Sequence, residues 1–273
     1  MGSLTATAIQ RDIVIVGGAD AAQYLQTQLT QDVDSLQAGQ STWSFLLAPK
    51  SGIEFMLRVT RSQTGDFILD VETSYGAALR SRLDGLLFRL DVLFEENHWP
   101  GVALRGPGAV AFESDAPVVA TLPWQEHEAV DLVGPNVSLP DGVATGDAEL
   151  VEQVRLDAGW PAMGTEIHED VTPSMTGLVD KLVAFDKGCY TGQEFVARVY
   201  FRGAKPPRRL VQLISPNDEA LDADCDIRIE GNAVGIVTSA AGSMGLGYLK
   251  RSVETPGEVF VNGVLAEVFD VSD

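Results

Sequence analysis

Residues 187–194, Lys-Gly-Cys-Tyr-Thr-Gly-Gln-Glu, are the stretch around which the architecture of this chain can be predicted. Thr191 and Glu194 have the spacing of a capping box, in which Thr191 is the N-cap and Glu194 folds back onto its N–H. Tyr190 before the cap and Phe195 after it are spaced to form a hydrophobic staple. The pattern therefore predicts a helix that starts at this cap.

Cys189 lies two residues before the predicted cap, and Lys187 lies beside it in sequence. The positive end of a helix dipole and a nearby ammonium group both favour thiolate over thiol. Cys189 is therefore a candidate reactive cysteine. Two alternatives stay open: Cys189 is a small buried apolar residue, and Glu194 does no more than order the helix.

Downstream of the motif the pattern changes after residues 203–207, Gly-Ala-Lys-Pro-Pro. Short alternating segments separated by turns follow and show no helix period, which is typical of a small β-barrel. We expect the barrel to occupy residues 204–273, with strands at 210–214, 226–229, 233–238, 245–249 and 264–271.

Upstream of the motif, strand-like segments are interrupted by single helices, which favours α+β layers over a doubly wound parallel sheet. Asp20 and Asp147 are predicted N-caps. Residues 107–146 are rich in Pro and Gly and predict only short, weak elements. Predicted strands are 13–16, 42–47, 53–59, 67–71, 91–94 and 102–104, and predicted helices are 20–29, 74–87 and 147–157.

Composition excludes several classes of protein. The 273-residue chain carries 39 acidic and 19 basic residues, a net charge of -20, and such a field repels nucleic-acid backbones. Neither a GxGxxG nor a phosphate-loop motif is present. No apolar run reaches the roughly 18 residues of a membrane span, and the polar N-terminus does not resemble a secretion signal. We expect a cytoplasmic monomer without membrane contact.

No metal site is predicted. Cys189 and Cys225 are the only cysteines, and two thiols in one chain cannot ligate a cluster or a structural zinc without help. His168 lies in the acidic loop 166–170, which we interpret as a solvated surface turn.

A basic strip interrupts this acidic chain. Between Glu194 and Asp218 there is no acidic residue, yet five cations fall there: Arg198, Arg202, Lys205, Arg208 and Arg209. One hypothesis is that the strip meets an anionic tail, such as the glutamates of a folylpolyglutamate. The alternative is that it pairs with acids of the neighbouring domain.

The 187–194 motif, with the Ala-Arg that follows, resembles the signature of the YgfZ proteins, relatives of the glycine-cleavage T-protein (GcvT), an aminomethyltransferase that uses tetrahydrofolate. Residues 20–33, with their Thr-x-Asp, resemble the family's first helix. Residues 155–161 resemble the stretch before the folate pocket, and residues 173–178 the segment leading to the cysteine motif. The resemblance thus spans nearly the whole chain and is weakest in its centre, roughly residues 107–146.

The resemblance implies a GcvT/YgfZ-like α+β fold, a ring of two interleaved α+β subdomains in residues 1–203 plus the barrel in 204–273, around a channel for tetrahydrofolate or a one-carbon derivative. It implies Cys189 and Lys187 as the catalytic pair. Asp157 stands where relatives usually carry a Glu that bonds the pterin, a task that suits a carboxylate. The folate-binding residues implied are Asp157, Tyr190, Gln193, Glu194, Arg198 and Arg202.

The resemblance also implies a function: a folate-dependent accessory factor for assembly or repair of iron–sulfur clusters, with client or assembly proteins as partners. An aminomethyl- or methyltransferase and a non-catalytic folate scaffold are the alternatives. T-proteins carry a catalytic Asp on their second long hairpin, but Glu54 is the only acid in residues 50–56 here. This departure argues against aminomethyl transfer, and whether the chain catalyses a reaction stays open.

Overall fold

A computed structural model describes residues 3–124 and 126–271. The sequence forms an α+β region followed by a β-barrel, as predicted. The elements of the α+β region are β1 (Thr5–Gly17), α1 (Ala21–Gln28), β2 (Ser41–Leu47), β3 (Ile53–Arg61), β4 (Phe67–Glu72), α2 (Gly76–Asp84), β5 (Leu93–Arg105), β6 (Val118–Thr121), β7 (Ala129–Val133), β8 (Ala144–Thr145), α3 (Ala148–Asp157), α4 (Val179–Leu182) and α5 (Gln193–Phe201).

The α+β region is built on one sheet in the order β2-β3-β4-β1-β5-β7-β6, with β8 parallel to β1 at the side. β1 and β5 are its long central strands and pair antiparallel from Thr5–Arg105 to Gly17–Leu93. The prediction of two separate strands at 91–94 and 102–104 is wrong, because β1 supplies a continuous ladder that keeps the polar residues between them extended.

A layer of charged side chains, which the sequence patterns did not predict, lies buried on this sheet. Arg58 of β3 is 1% exposed and donates to both carboxylate oxygens of Asp70 at 2.7 and 3.1 Å, and to Asp131 at 3.1 Å. Arg105 donates to the other oxygen of Asp131, and Arg11 donates to Asp70. Because each of these residues comes from a different strand, the network fixes the sheet register wherever a slip would leave a buried charge unpaired.

The strands of the barrel are β9 (Arg208–Ile214), β10 (Asp226–Ile229), β11 (Asn232–Ala241), β12 (Met244–Lys250), β13 (Gly257–Val261) and β14 (Val264–Asp270). They close in the order β10-β11-β12-β9-β14-β13. The sequence pattern missed β13. Its Val259 and Val261 are buried, but the outward position between them carries the half-exposed Phe260, which hides the alternation of apolar and polar residues.

The barrel shares the main hydrophobic core with the α+β region. Leu210, Leu246 and Tyr248 of the barrel belong to the same buried cluster as Phe45 and Leu57 of the sheet. The barrel interior also has a buried cluster of its own, with Val211 and Val259 among its members, so the barrel is a unit with its own core that also packs into the main one. The division of the chain at residue 203 stays a prediction.

Of the two N-caps predicted upstream of the cysteine motif, one is confirmed. Asp147 accepts a hydrogen bond from the N–H of Leu150 at 2.9 Å and starts α3 as expected. Asp20 makes no side-chain cap bond; its carboxylate accepts instead from the N–H of Asp91 at 2.7 Å. The α1 N-terminus is thus tied to the start of β5 rather than capped by its own side chain.

Glu166 corrects the prediction that residues 166–170 form a solvated turn, because its side chain is fully buried. It accepts hydrogen bonds from Arg155 of α3 at 3.0 Å and from Thr238 and Ser239 of β11 at 2.6 Å each. Its backbone carbonyl accepts from the hydroxyl of Tyr248 at 2.9 Å. One carboxylate therefore joins α3, the loop after it and the barrel.

Replacing Glu166 with Ala is expected to lower the free energy of unfolding by about 3–5 kcal/mol, because Thr238, Ser239 and one amino group of Arg155 lose their buried acceptor, although Arg155 keeps its pair with Glu152. The measurement is urea unfolding followed by circular dichroism. Glu169→Ala, an exposed acid in the same loop, is the control and should change stability by no more than about 0.5 kcal/mol. Equal losses in the two variants would contradict the assignment of Glu166 as the joint.

Candidate functional site

The cysteine motif enters α5 by a different route from the one predicted. Gly192 is the N-cap, with a left-handed backbone at φ +82° and no side-chain cap bond, and Glu194 pairs with Arg198. The capping box is therefore wrong. A Cβ at Gly192 would lie 2.9 Å from the carbonyl oxygen of Ala48. The turn thus passes so close to the end of β2 that it requires glycine and leaves Thr191 outside the helix.

The staple is also wrong, because its two aromatic residues lie in different environments. Tyr190 is 6% exposed, whereas Phe195 is 42% exposed. The ammonium of Lys187 lies 5.4 Å from the centroid of the Tyr190 ring. Burial raises the pKa of Tyr190 to about 12, and its hydroxyl has no hydrogen-bond partner among the described residues.

Cys189 is a free thiol and is exposed, so the alternative that it is a small buried residue is wrong. The preceding Gly188 has open space around it, and a Cβ there would meet nothing within 4 Å. Because α5 is capped by Gly192, Cys189 lies three residues before the cap rather than two, and the dipole acts on it more weakly than predicted. What the structure provides is an accessible thiol on an open loop.

Lys187 anchors that loop. Its Nζ donates hydrogen bonds to the backbone carbonyls of Leu29 at 2.7 Å and Gln31 at 2.8 Å, just after α1. Burial lowers the pKa of Lys187 to about 8, and the Asp32 carboxylate opposes this shift. The ammonium that we predicted as a partner of Cys189 is thus engaged with the α1 end.

Thr30 is a second anchor of the motif, and our residue-by-residue predictions gave it no role. It is fully buried, its hydroxyl donates to the carbonyl of Leu182 at 2.7 Å, and it accepts from the N–H of Phe45 at 2.9 Å. Its carbonyl accepts from Ala184 at 3.0 Å. The Thr-x-Asp pattern of residues 30–32 is the sequence feature that could have predicted this anchor. Thr30 holds β2 and the segment before the motif together.

Asp157 lies at the C-terminal end of α3, where its side chain is 46% exposed and 3.3 Å from Nε2 of His127. Two cavities, of about 180 and 270 Å³, share these two residues as part of their walls. The smaller one is also lined by Lys181 and Gln212, and burial lowers the pKa of Lys181. Gln212 of the barrel donates to the backbone carbonyl of Asp157 at 2.8 Å and so fixes this helix end.

The structure therefore does not bring all predicted site residues to one place. A third cavity, of about 320 Å³ and mostly apolar, is lined by Phe195 and Val196 of α5, which follows the motif, but by none of residues 187–194. The short helix α4 contributes to two cavities: Val179 and Asp180 line the α5 cavity, and Lys181 lines the Asp157 cavity. The Asp157 cavity and the α5 cavity are thus linked through α4.

The basic strip divides into paired and free cations. Arg198 pairs with Glu194 within α5, and Arg209 of β9 pairs with Asp270 of β14 within the barrel, so neither pair joins the strip to a neighbouring domain as the structural alternative predicted. Arg208 lies over the ring of Tyr248. Arg202 and Lys205 are exposed and make no ion pair in the described part of the chain.

Glu54, the acid of the hairpin that carries the catalytic Asp in T-proteins, faces α2. Its carboxylate accepts from Nε of Arg82 at 2.6 Å. The carboxylate of this hairpin is therefore engaged in an ion pair with α2.

Within residues 3–124 and 126–271, no group of three or more His, Cys, Asp and Glu side chains is arranged to hold a metal ion. None of the helices described there is both long and apolar enough to cross a membrane.

Comparison with known proteins places this architecture. No family model matches the chain. An uncharacterised Haemophilus influenzae protein is 28% identical over 250 residues, covering 88% of this chain and 85% of its own length. Proteins named tRNA-modifying protein YgfZ from Enterobacter sp. and Yersinia enterocolitica are 29% and 27% identical over 70% of this chain, and the matched region covers 66% and 65% of their lengths.

Among solved structures, the aminomethyltransferase T of the glycine cleavage system from Bartonella henselae matches with a TM-score of 0.82 at 21% identity, over 98% of this chain and 86% of that one. The fold is therefore that of the glycine-cleavage T-proteins. In sequence the chain is similar to these two YgfZ proteins, and it spans just under two thirds of the length of each.

Replacing Asp32 with Asn is expected to lower the pKa of Lys187 below about 8, because the carboxylate is the charge that holds the proton on the ammonium. The measurement is an NMR titration of the lysine side chains, of which the chain has five. Asp34→Asn, an exposed acid in the same loop, is the control and should leave the midpoint unchanged. A Lys187 midpoint near 10.5 in the wild type would contradict its burial.

Proposed function

We propose that this chain binds a reduced folate, tetrahydrofolate or a one-carbon derivative, and acts as an accessory protein for enzymes that carry iron–sulfur clusters. The observation that carries the proposal is a T-protein-like fold over 98% of the chain, with the Asp157 carboxylate in a cavity between α3, α4 and the barrel. A bound folate would supply the chemistry of a one-carbon carrier.

The residues around Asp157 fit a pterin. The carboxylate is accessible, and its contact with His127 is long at 3.3 Å, so paired N–H donors of an aminopyrimidine edge can displace it. Lys181 and Gln212 add polar groups to the same wall. Gln212 holds the helix end through backbone carbonyls, which leaves the carboxylate free to accept.

Cys189 is proposed as the group that meets the client protein or its sulfur chemistry. Support comes from its exposure and from the anchoring of its loop, since Lys187 fixes one end and Gly192 the other. A thiol on an anchored but open loop can reach a second macromolecule without loss of the fold around it. Buried structural cysteines do not have this access.

An aminomethyltransferase is the second candidate, and the function named in the Bartonella henselae structure favours it. The pairing of Glu54 with Arg82 weighs against it, because the hairpin then offers no free carboxylate to orient a substrate. Formation of methylenetetrahydrofolate by the pure protein from a candidate donor would favour the transferase over the accessory role.

The name of the YgfZ relatives connects them with tRNA modification. A chain with a net charge of -20 is poorly suited to bind tRNA directly, because neutralising phosphates is the main source of such affinity. We therefore propose that any such role is exerted through an enzyme that modifies tRNA, with this chain acting on that enzyme.

Wild-type protein is expected to bind tetrahydrofolate, and Asp157→Asn to bind it about tenfold or more weakly, because charge-assisted bonds to the pterin are lost. The measurement is calorimetric titration without oxygen. Asp141→Asn, which changes an exposed acid in the segment before α3, is the control and should bind tetrahydrofolate as the wild type does. Absence of wild-type binding would overturn the folate proposal, and equal affinities would remove Asp157 from the site.

Cys189→Ala is expected to fail to restore the activity of a cluster-dependent enzyme in a deletion strain, whereas Cys225→Ala restores it. The two residues are the only cysteines of the chain, and both are free thiols. The two variants therefore distinguish the effect of removing any thiol from an effect that is specific to Cys189. Protein levels are compared by immunoblot. Full rescue by Cys189→Ala would exclude the thiol from the mechanism.

A further inference from the structure

The cavity beside the cysteine motif is used neither by the folate proposal nor by the anchoring of the loop. We name it the α5 groove. It has a volume of about 320 Å³ and lies between α5, the segment 172–180 and the linker 203–206. Its walls are mainly apolar, with Val179, Val196 and Val199 among them.

The groove continues into exposed aromatic side chains on α5. Phe195 and Tyr200 are each 42% exposed, and Phe201 is 71% exposed. Tyr200 is held in place: its ring stacks on Phe185 at 4.4 Å between centroids, and its hydroxyl donates to Asp180 at 2.6 Å. An apolar groove continuous with ordered, exposed aromatic residues is typical of an interaction site.

The rim of the groove is positively charged. Arg202 and Lys205 flank the lining residues Gly203 and Ala204, and neither has an acidic partner among the described residues. Of the nearby acids, Glu194 pairs with Arg198, whereas Asp180 in the groove wall accepts from Tyr200 and keeps its negative charge, so the positive charge is confined to the rim at Arg202 and Lys205. In a chain of net charge -20, two free cations beside an apolar groove are complementary to an acidic ligand.

We propose that the α5 groove binds an acidic amphipathic segment of a partner protein, whose apolar side chains enter the groove and whose carboxylates face Arg202 and Lys205. The proposal does not depend on folate binding. Cys189 is six residues from Phe195, so at most about 22 Å of chain separates the thiol from the groove. A partner docked here lies within reach of the cysteine loop.

The charge of the whole chain favours a short protein segment over the other occupants. A membrane surface or a nucleic acid presents many anionic groups and meets the repulsive field of the entire molecule. A second copy carries the same charge of -20 and is repelled likewise. A short segment interacts mainly with the local positive rim, because salt screens charges beyond about 10 Å.

The test uses fluorescently labelled helical peptides of about 15 residues, with Leu at positions i, i+3, i+4 and i+7 and Glu elsewhere. One matched peptide has Lys in place of Glu, and another has Ser in place of Leu. Fluorescence polarisation with the full chain is expected to show the acidic amphipathic peptide binding at least about tenfold more tightly than either, with affinity falling as salt rises.

Tyr200→Ser and Lys205→Glu are each expected to weaken this binding about tenfold. Phe88→Ser and Arg89→Glu are the controls, because Phe88 is also exposed, at 73%, and carries an arginine over its ring. Lys205 is exposed, so Lys205→Glu keeps the test valid if Tyr200→Ser unfolds. Folate affinity, measured alongside, separates loss of this site from loss of the proposed folate site.

Any one of five results would overturn the proposal. The first two are that the wild type binds none of the peptides, or that it binds the acidic and basic peptides equally. The third is that the Ser-for-Leu peptide binds as well as the Leu peptide, which would assign the rim to acidic tails alone. The fourth is that oligouridine or phosphatidylglycerol vesicles bind more tightly than the acidic peptide. The fifth is that the control variants weaken binding as much as the groove variants do.

Discussion

The arrangement of this molecule depends on the buried carboxylate of Glu166. Its two oxygens accept hydrogen bonds from Arg155 of α3, from the N–H of Ala162 in the loop after α3 and from the hydroxyls of β11, and the carboxylate itself is fully buried. Arg155 donates to it from the last turn of α3, two residues before Asp157. The position of the Asp157 carboxylate against the barrel is therefore set by an ion pair that takes no part in ligand binding.

The segment that carries the cysteine motif is likewise held by hydrogen bonds between residues that are distant in sequence. Thr30 and Lys187 both bond backbone groups across more than 150 residues of sequence, which joins the end of α1 to the segment before α5. These bonds fix the backbone on one side of Cys189 and leave the thiol free. A loop anchored by main-chain bonds tolerates the docking of a partner better than one whose side chains make the site themselves, because docking does not require them to be released.

The sequence predicted what depends on local patterns. The α3 cap at Asp147 and most barrel strands are confirmed, because caps and alternation act over a few residues. It failed where distant groups decide the outcome. The capping box at Thr191 is lost because Gly192 passes the carbonyl of Ala48, and Glu166 is buried although its loop is acidic. The buried arginine network around Arg58 joins different strands, so no spacing within one segment predicts it.

The separation of the Asp157 cavity from the cysteine motif bears on function. A transferase needs its carrier and its catalytic groups at one reacting centre, within about 3–3.5 Å of the bond that changes. Here Asp157 lines a cavity to which no residue of the 187–194 motif contributes, and the hairpin acid Glu54 is paired with Arg82. An accessory protein has no such requirement, since a ligand at one site can act on a partner at the other through a shared element. Val179 and Lys181 line different cavities from one short helix, so α4 is the element that would connect the proposed folate site with the α5 groove.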